Sequence, residues 1–360
     1  MKAIIFAGGV GTRLWPLSRR KSPKQFEKVI GDKSTLQLAV ERLQPYFKWE
    51  DIFVATHERY VSIVSKQLPK LLPMNIIGEP ESRDVGPAVG LATSILYKKY
   101  ANEPVVIIWS DHLVGKPELF QQLLLTCNRA TQKTKNKIIF ISQKPRFASQ
   151  NLGWIKYGKV AFKENNFNFY TFESFHYRPD INRAKEFLQD GSYTWNLGYF
   201  VTTLSFLWSM YQKHQPDIFR GLKEIYNSVG SSQFKAVVSK VYPKFPKVSF
   251  DSGILENIDS DNALVISEDL KWSDIGAWEA LKEALQTSPD KNVSRGKVLV
   301  TDCRDSLVYN YSDQLVVTID LDGFIVINTD DVVLICHKHS VPKIKKLVEK
   351  LAESKNDHLV

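Results

Sequence analysis

Lys2-Ala3-Ile4-Ile5-Phe6-Ala7-Gly8-Gly9-Val10-Gly11-Thr12-Arg13 sets a short apolar run directly in front of a glycine-rich loop. Ala3–Phe6 reads as a buried strand, and the loop begins where that strand ends. Glycines let the chain adopt positive φ and bring backbone N–H groups close to phosphate oxygens. Gly8, Gly9, Gly11 and Thr12 are therefore candidate nucleotide-binding residues. The Lys-Ser/Thr ending of a Walker loop is absent, and so is the third glycine of the dinucleotide fingerprint. Alone, Gly-Gly-x-Gly is equally a plain turn. The continuation Arg13-Leu14-Trp15-Pro16-Leu17-Ser18 and then Ser22-Pro23-Lys24-Gln25-Phe26 adds two cations, Arg13 and Lys24, at fixed distances from the loop.

Outward from this stretch, β-type runs alternate with helical patterns. Ile52–Ala55, Asn75–Ile77, Val105–Trp109 and Lys137–Ser142 read as buried strands. Leu36, Ala39, Val40 and Leu43 fall on one helical face, and Pro87 suits the first turn of a helix running through Leu96. The alternation predicts an α/β fold with a mostly parallel sheet, in which ligands sit beyond the carboxyl ends of the strands. Residues 143–280 read as more irregular, with helices over Asn182–Leu188 and Leu204–Tyr211. Ser-Pro-Asp-Lys-Asn at 288–292 looks like a linker. Beyond it, Lys297–Thr301, Ser306–Tyr309, Gln314–Ile319, Phe324–Ile327 and Val332–Cys336 read as short strands, closed by a helix with Val341, Ile344, Val348 and Leu351 on one face. The expected organisation is a catalytic domain over 1–287 and a small module over 293–360. The module carries no catalytic constellation; packing or a subunit contact, and hence a homodimer, is the role open to it.

Composition narrows the classes. The chain has 360 residues, 43% hydrophobic and 24% charged, with a net charge of +9. No apolar run approaches the ~20 residues that span a bilayer, and the N-terminal apolar stretch is too short for a signal peptide. The basic residues are dispersed without a nucleic-acid motif, so the positive field fits anionic small substrates better than nucleic acid. Cys127, Cys303 and Cys336 have neither zinc nor disulfide spacing, consistent with a reducing cytoplasm.

Two carboxylates stand out. Asp111, in Ser110-Asp111-His112, follows the strand Val105–Trp109, a natural place for a Mg²⁺ ligand. Asp274 lies in Trp272-Ser273-Asp274-Ile275-Gly276-Ala277-Trp278. His112 reads as a structural histidine.

The loop with its Pro-Lys-Gln-Phe ending resembles the signature of sugar-1-phosphate nucleotidyltransferases, most of all the mannose-1-phosphate guanylyltransferase branch, in the form without an isomerase domain. The resemblance runs nearly the whole chain. It implies a Rossmann-like nucleotidyltransferase domain followed by a short left-handed β-helix-like module. It implies that Arg13 and Lys24 are catalytic, holding the triphosphate, and that Asp111 and Asp274 bind Mg²⁺. Gly78-Glu79-Pro80-Glu81-Ser82-Arg83-Asp84-Val85-Gly86-Pro87-Ala88 is similar to the family's base-binding segment, implying contacts from Glu79, Pro80 and Arg83. There Asp84, Val85 and Gly86 replace Asn, Thr and Ala. On the sugar side, Gly153 and Asn196 match, in Leu152-Gly153-Trp154-Ile155 and Trp195-Asn196-Leu197-Gly198-Tyr199-Phe200. Tyr177-Arg178 stands where the family has Glu-Lys, so Tyr177 replaces the sugar-reading carboxylate and Arg178 takes the phosphate-binding place.

The implied activity joins mannose 1-phosphate to GTP by in-line displacement, giving GDP-mannose and pyrophosphate. Two alternatives stay open: a related enzyme for another sugar or base, and a catalytically weak nucleotide-sugar-binding regulatory paralogue.

Overall fold

The computed structural model describes residues 1–9, 11–134 and 137–360. Val10 of the glycine loop lies outside the described residues. The chain separates into two compact units that do not follow chain order. The first comprises Met1–Ala7, Ala39–Ser110 and Val114–Lys271; the second comprises Gly8–Leu38, Asp111–Leu113 and Trp272–Val360.

The first unit is built on a nine-stranded sheet. Its strands are β1 (Lys2–Ala7), β2 (Ile52–His57), β3 (Ile76–Glu79), β4 (Pro104–Trp109), then β5 (Ile138–Gln143), β6 (Gly153–Glu164), β7 (Phe167–Tyr177), β8 (Tyr193–Thr203) and β9 (Ala263–Ser267). The spatial order is β3-β2-β1-β4-β8-β5-β9-β7-β6. β1, β2, β3 and β4 run parallel, as do β5 and β9. Their near-continuous burial is what a strand covered on both faces requires. The rest is antiparallel: β8 pairs with both β4 and β5, and β6 pairs with β7 and β8. The sheet is thus mixed: β1 to β4 form its parallel part where the sequence alternates strand and helix, and β9 adds a further parallel pairing with β5.

The long β6–β7 hairpin falls in the stretch read as irregular. It turns on Asn165-Asn166, both at positive φ (46° and 67°), as a two-residue hairpin of this hand requires. The helix Val85–Tyr100 covers one face, and its Ala88, Val89, Leu91, Ala92 and Leu96 join Ile4, Phe6, Val105, Ile107, Phe140 and Phe200 in the main core.

Beyond residue 292 the described residues of the second unit hold two small sheets, built mostly of parallel strands. Val293–Arg295, Leu307–Asn310 and Phe324–Asn328 stack in register, with Val333–His337 added antiparallel, and Val298–Thr301 pairs with Val316–Ile319. Leu307, Tyr309, Ile325 and Ile327 point into a core shared with Leu14, Trp15, Trp278, Ile344 and Val348. The 288–292 stretch is tied down rather than free: buried Lys282 reaches the Pro289 carbonyl and Asp305, and Asn292 Nδ2 donates to the Cys303 carbonyl at 2.6 Å.

Candidate functional site

Gly8, Gly9, Gly11, Thr12, Arg13, Lys24, Asp111 and Asp274 all belong to the second unit. Gly11 sits at φ 69°, and a Cβ there would come 2.6 Å from Lys24 Cδ. Only glycine lets the buried lysine stem pass so close to the loop. Gln25 Nε2 donates to the Gly9 carbonyl at 3.2 Å, joining the Pro-Lys-Gln-Phe segment to the loop.

The Lys24 ammonium lies 2.6 Å from an Asp111 oxygen. Burial alone would lower the Lys24 pKa, but Asp111 and then Asp274 more than offset it and hold it above its ordinary value. Burial would likewise raise Asp111, yet Lys24 and His112 bring its carboxyl down to about 2. Both groups are therefore charged across the working pH range.

His112 packs edge-on against Trp272, ring centroids 4.9 Å apart. Trp278 donates its indole N–H to the Trp15 carbonyl at 2.9 Å, and Trp15 donates its own to the Leu359 carbonyl at 2.8 Å. The tryptophans of the two motifs thus fix the backbone that carries Arg13 and Asp274. Between those two side chains a Cβ on Gly276 would lie 3.0 Å from an Arg13 nitrogen and 3.1 Å from an Asp274 oxygen. Glu279, which motif reading passed over, lies near enough for Arg13 to pull its pKa down, although burial leaves it raised overall.

Glu79, Pro80, Arg83, Gly153, Tyr177, Arg178 and Asn196 belong to the first unit. Glu79 ends β3, and one of its oxygens accepts a 2.7 Å hydrogen bond from the Tyr242 hydroxyl. Burial pushes the Glu79 carboxyl up to about 7, against the pull of that bond. Pro80 follows, half-buried. Arg83 donates to Glu81 at 2.8 Å, and its Nε is buried without a hydrogen-bond partner among the described residues. Asp84, at φ 70°, caps the helix Val85–Tyr100 by accepting from the Val85 N–H. Gly86 donates to the Val248 carbonyl at 2.9 Å, and a Cβ there would meet that oxygen at 2.7 Å. The family's alanine would not fit this approach.

Strand register gathers Gly153, Tyr177 and Asn196, which the resemblance puts on the sugar side. Gly153 stands opposite Tyr177 on one side and Asn196 on the other. Arg178 stacks over the Tyr177 ring at 5.0 Å. Asn196 donates to Asp251 at 3.0 Å, and the Tyr177 N–H donates to Glu256 at 2.9 Å. Tyr242, Asp251 and Glu256 carry no local motif, and their partners lie between 55 and 163 residues away in the chain, so no sequence spacing marks them.

A mixed α/β sheet with a glycine loop after its first strand, beside cations and carboxylates suited to phosphates, defines an enzyme of phosphorylated substrates. The comparisons are more specific. The nucleotidyl transferase family matches residues 2–291, and the MannoseP isomerase/GMP-like beta-helix domain matches residues 296–351. The chain belongs to the nucleotidyl transferase family, and it is a sugar-phosphate nucleotidyltransferase. It is 30% identical to the mannose-1-phosphate guanylyltransferase of Escherichia coli K12 over 99% of its own length and 75% of that protein's. It is 29% identical to the mannose-1-phosphate guanylyltransferase of Salmonella muenchen, over 99% of this chain and 74% of the relative. The crystal structure of a mannose-1-phosphate geranyltransferase from Thermus thermophilus superimposes with a TM-score of 0.86 at 27% identity, covering 97% of this chain and 98% of that one. Among the described residues no helix is long and apolar enough to cross a membrane.

Proposed function

We propose that the protein transfers GMP from GTP to mannose 1-phosphate, releasing pyrophosphate. The observation that carries this reading is the Lys24–Asp111 pair with Arg13 and Asp274 beside it, joined to relatives that bear that activity in their names. A sugar-phosphate oxygen attacks the α-phosphorus in line. Such displacements depend on positioning and charge neutralisation rather than on a covalent side-chain nucleophile. Arg13 and Lys24 bind the triphosphate and stabilise charge building at the reacting phosphorus. Backbone N–H groups of the Gly8–Thr12 loop orient the phosphates.

Asp111 and Asp274 would hold Mg²⁺. Two carboxylates are a donor set this cation accepts, its other positions going to waters and substrate phosphates; among the described residues no cluster of three His, Cys, Asp or Glu side chains suited to a metal forms. The gap at Gly276, which a Cβ would fill, keeps space open beside Asp274. When bound, the ion supplies further charge neutralisation at the α-phosphate. Glu79, as a carboxylate, accepts from the guanine N1–H and amine, with Pro80 and Arg83 beside it. Asn196, Gly153 and Tyr177 line the sugar position, and Arg178 grips the sugar phosphate.

Residues 1–287 form the catalytic domain in this reading and 293–360 the β-helical module. The module's exposed Leu299, Val317, Ile319, Val333 and Ile335 suit a homodimer contact. A cytoplasmic location fits nucleotide-sugar synthesis. Pyrophosphate release across a grid of triphosphates and sugar 1-phosphates tests the whole: the pair GTP and mannose 1-phosphate should give the highest kcat/KM, and a higher value for another pair would reassign the substrate.

A further inference from the structure

Tyr177 leaves the sugar position without the carboxylate that the resembling motif places there. A phenol offers one O–H, whereas a carboxylate accepts through two oxygens. The fold supplies a carboxylate from elsewhere. Asp251 is the second residue of a four-residue helix, Phe250–Gly253, and lies 55 residues from Asn196 in the chain, yet the Asn196 amide donates to its Oδ1 at 3.0 Å. The same Asn196 accepts the Gly198 N–H at 3.0 Å through its own oxygen, so the amide is locked with its NH₂ facing Asp251.

Asn196 is the register neighbour of Gly153, and Gly153 is the register neighbour of Tyr177. Asp251 also feels the charge of Arg178, and Tyr177 in turn feels Asp251. The aspartate is thus surrounded by the set of residues that the sugar phosphate would meet. A carboxylate has ~4 lone-pair sites. Asn196 and a backbone N–H occupy two kinds of these, which leaves acceptor capacity for hydroxyl donors. Burial raises its carboxyl to about 6, so it is charged at neutral pH.

We propose that Asp251 is the residue that accepts hydrogen bonds from the hydroxyls of the sugar 1-phosphate, in place of the carboxylate absent at Tyr177. This rests on the sugar-phosphate reading above and deepens it. Asp251 is then a substrate-binding, specificity-determining residue, and Asn196 positions it.

The test uses the full chain with GTP and mannose 1-phosphate. Asp251→Asn keeps the shape and removes the charge. It is expected to raise the KM for mannose 1-phosphate at least tenfold while leaving the KM for GTP within twofold. Tyr177→Glu alone sets a third carboxylate beside Asp251 and Glu256 and is expected to weaken sugar binding. Combined with Asp251→Asn, the same change is expected to recover at least a third of the lost kcat/KM. An unchanged sugar KM in Asp251→Asn, a parallel rise for both substrates, or no recovery in the double variant would overturn the proposal. If Asp251→Asn does not fold, Asp251→Glu, which keeps the charge one methylene farther out, is expected to show the same selective rise; an unaltered sugar KM there overturns it as well. A wild-type protein without turnover sinks the assigned reaction but leaves Asp251 open to calorimetric titration with mannose 1-phosphate: binding lost in Asp251→Asn supports the role, and equal binding excludes it.

Discussion

In the second unit Lys24 faces Asp111 at 2.6 Å, and both remain fully charged. In the first unit Glu79 faces the neutral Tyr242 hydroxyl at 2.7 Å and titrates near 7. The first pair consists of charges that balance one another, the second of a carboxylate whose hydrogen-bond partner is uncharged. Arg13, Lys24, Asp111 and Asp274, to which the proposed reading gives the triphosphate and the metal, match the resembling motif. The segments that the proposed reading assigns to the base and the sugar phosphate depart from it at Asp84, Val85, Gly86, Tyr177 and Arg178. There the departures come with local accommodation, as at Gly86, whose missing Cβ admits the Val248 carbonyl. Charge at a reacting phosphorus tolerates few substitutes, because any change acts directly on the transition state. Groups that read a base or a sugar can be exchanged for others reaching the same hydroxyls from a different segment.

That contrast breaks first if the charged group proves tolerant. Asp111→Asn and Asp274→Asn are each expected to lose about 1,000-fold or more in kcat while staying folded, since in the proposed reading each removes half of a two-carboxylate metal site. Near wild-type rates at limiting Mg²⁺, followed by pyrophosphate release, would remove the metal assignment. Lys24→Ala and Arg13→Ala are expected to be about 100-fold slower, the scale of one electrostatic donor. Circular dichroism should show both folded; unfolding would make these residues structural.

On the polar side the effects should be smaller and dependent on pH. With Glu79 near 7, its acceptor form is lost as pH falls through that value. The KM for GTP is therefore expected to fall several-fold between about pH 6 and pH 8 if one ionisation controls base binding. Glu79→Gln should raise that KM and flatten its pH dependence; a profile identical to wild type would detach Glu79 from the base. The sign for stability is opposite. The folded state holds this proton more tightly than the unfolded chain, whose Glu titrates near ~4.3, so the contribution of Glu79 to stability declines as pH rises from there toward neutrality.

The effect expected on stability rather than on turnover is that of Gly86→Ala, which restores the residue of the resembling motif yet pushes a methyl onto the Val248 carbonyl. It should cost about 1–3 kcal/mol in denaturant unfolding. A stabilised variant would mean that the departure at Gly86 is not an accommodation.

The parallel strands β1 to β5 were legible because strands buried on both faces are continuous apolar runs, whereas β9, in the stretch read as irregular, was passed over. The loop, the Pro-Lys-Gln-Phe segment and the Trp-Ser-Asp heptad were legible because each is local. The β6–β7 hairpin was not: its strands Gly153–Glu164 and Phe167–Tyr177 mix aromatic, charged and small residues, bulges interrupt the register, and the only turn signal is Asn165-Asn166. Grouping residues 8–38 with the C-terminal module was illegible too, because it depends on long-range packing of Leu14 and Trp15. Asp251 and Tyr242 escaped for the same reason. What makes each of them informative is a hydrogen bond to a residue far away in the chain.

The indole of Trp15, two residues after Arg13, donates to the carbonyl of Leu359, and both Leu14 and Trp15 share a core with the strands of the C-terminal module. Core residues held in common tend to open together, so Leu14, Trp15 and the module are expected to exchange as one cooperative unit in native-state hydrogen exchange. The amides flanking Arg13 then inherit protection from strands far downstream in the chain, and trimming the last few residues loosens the very segment that carries this cation.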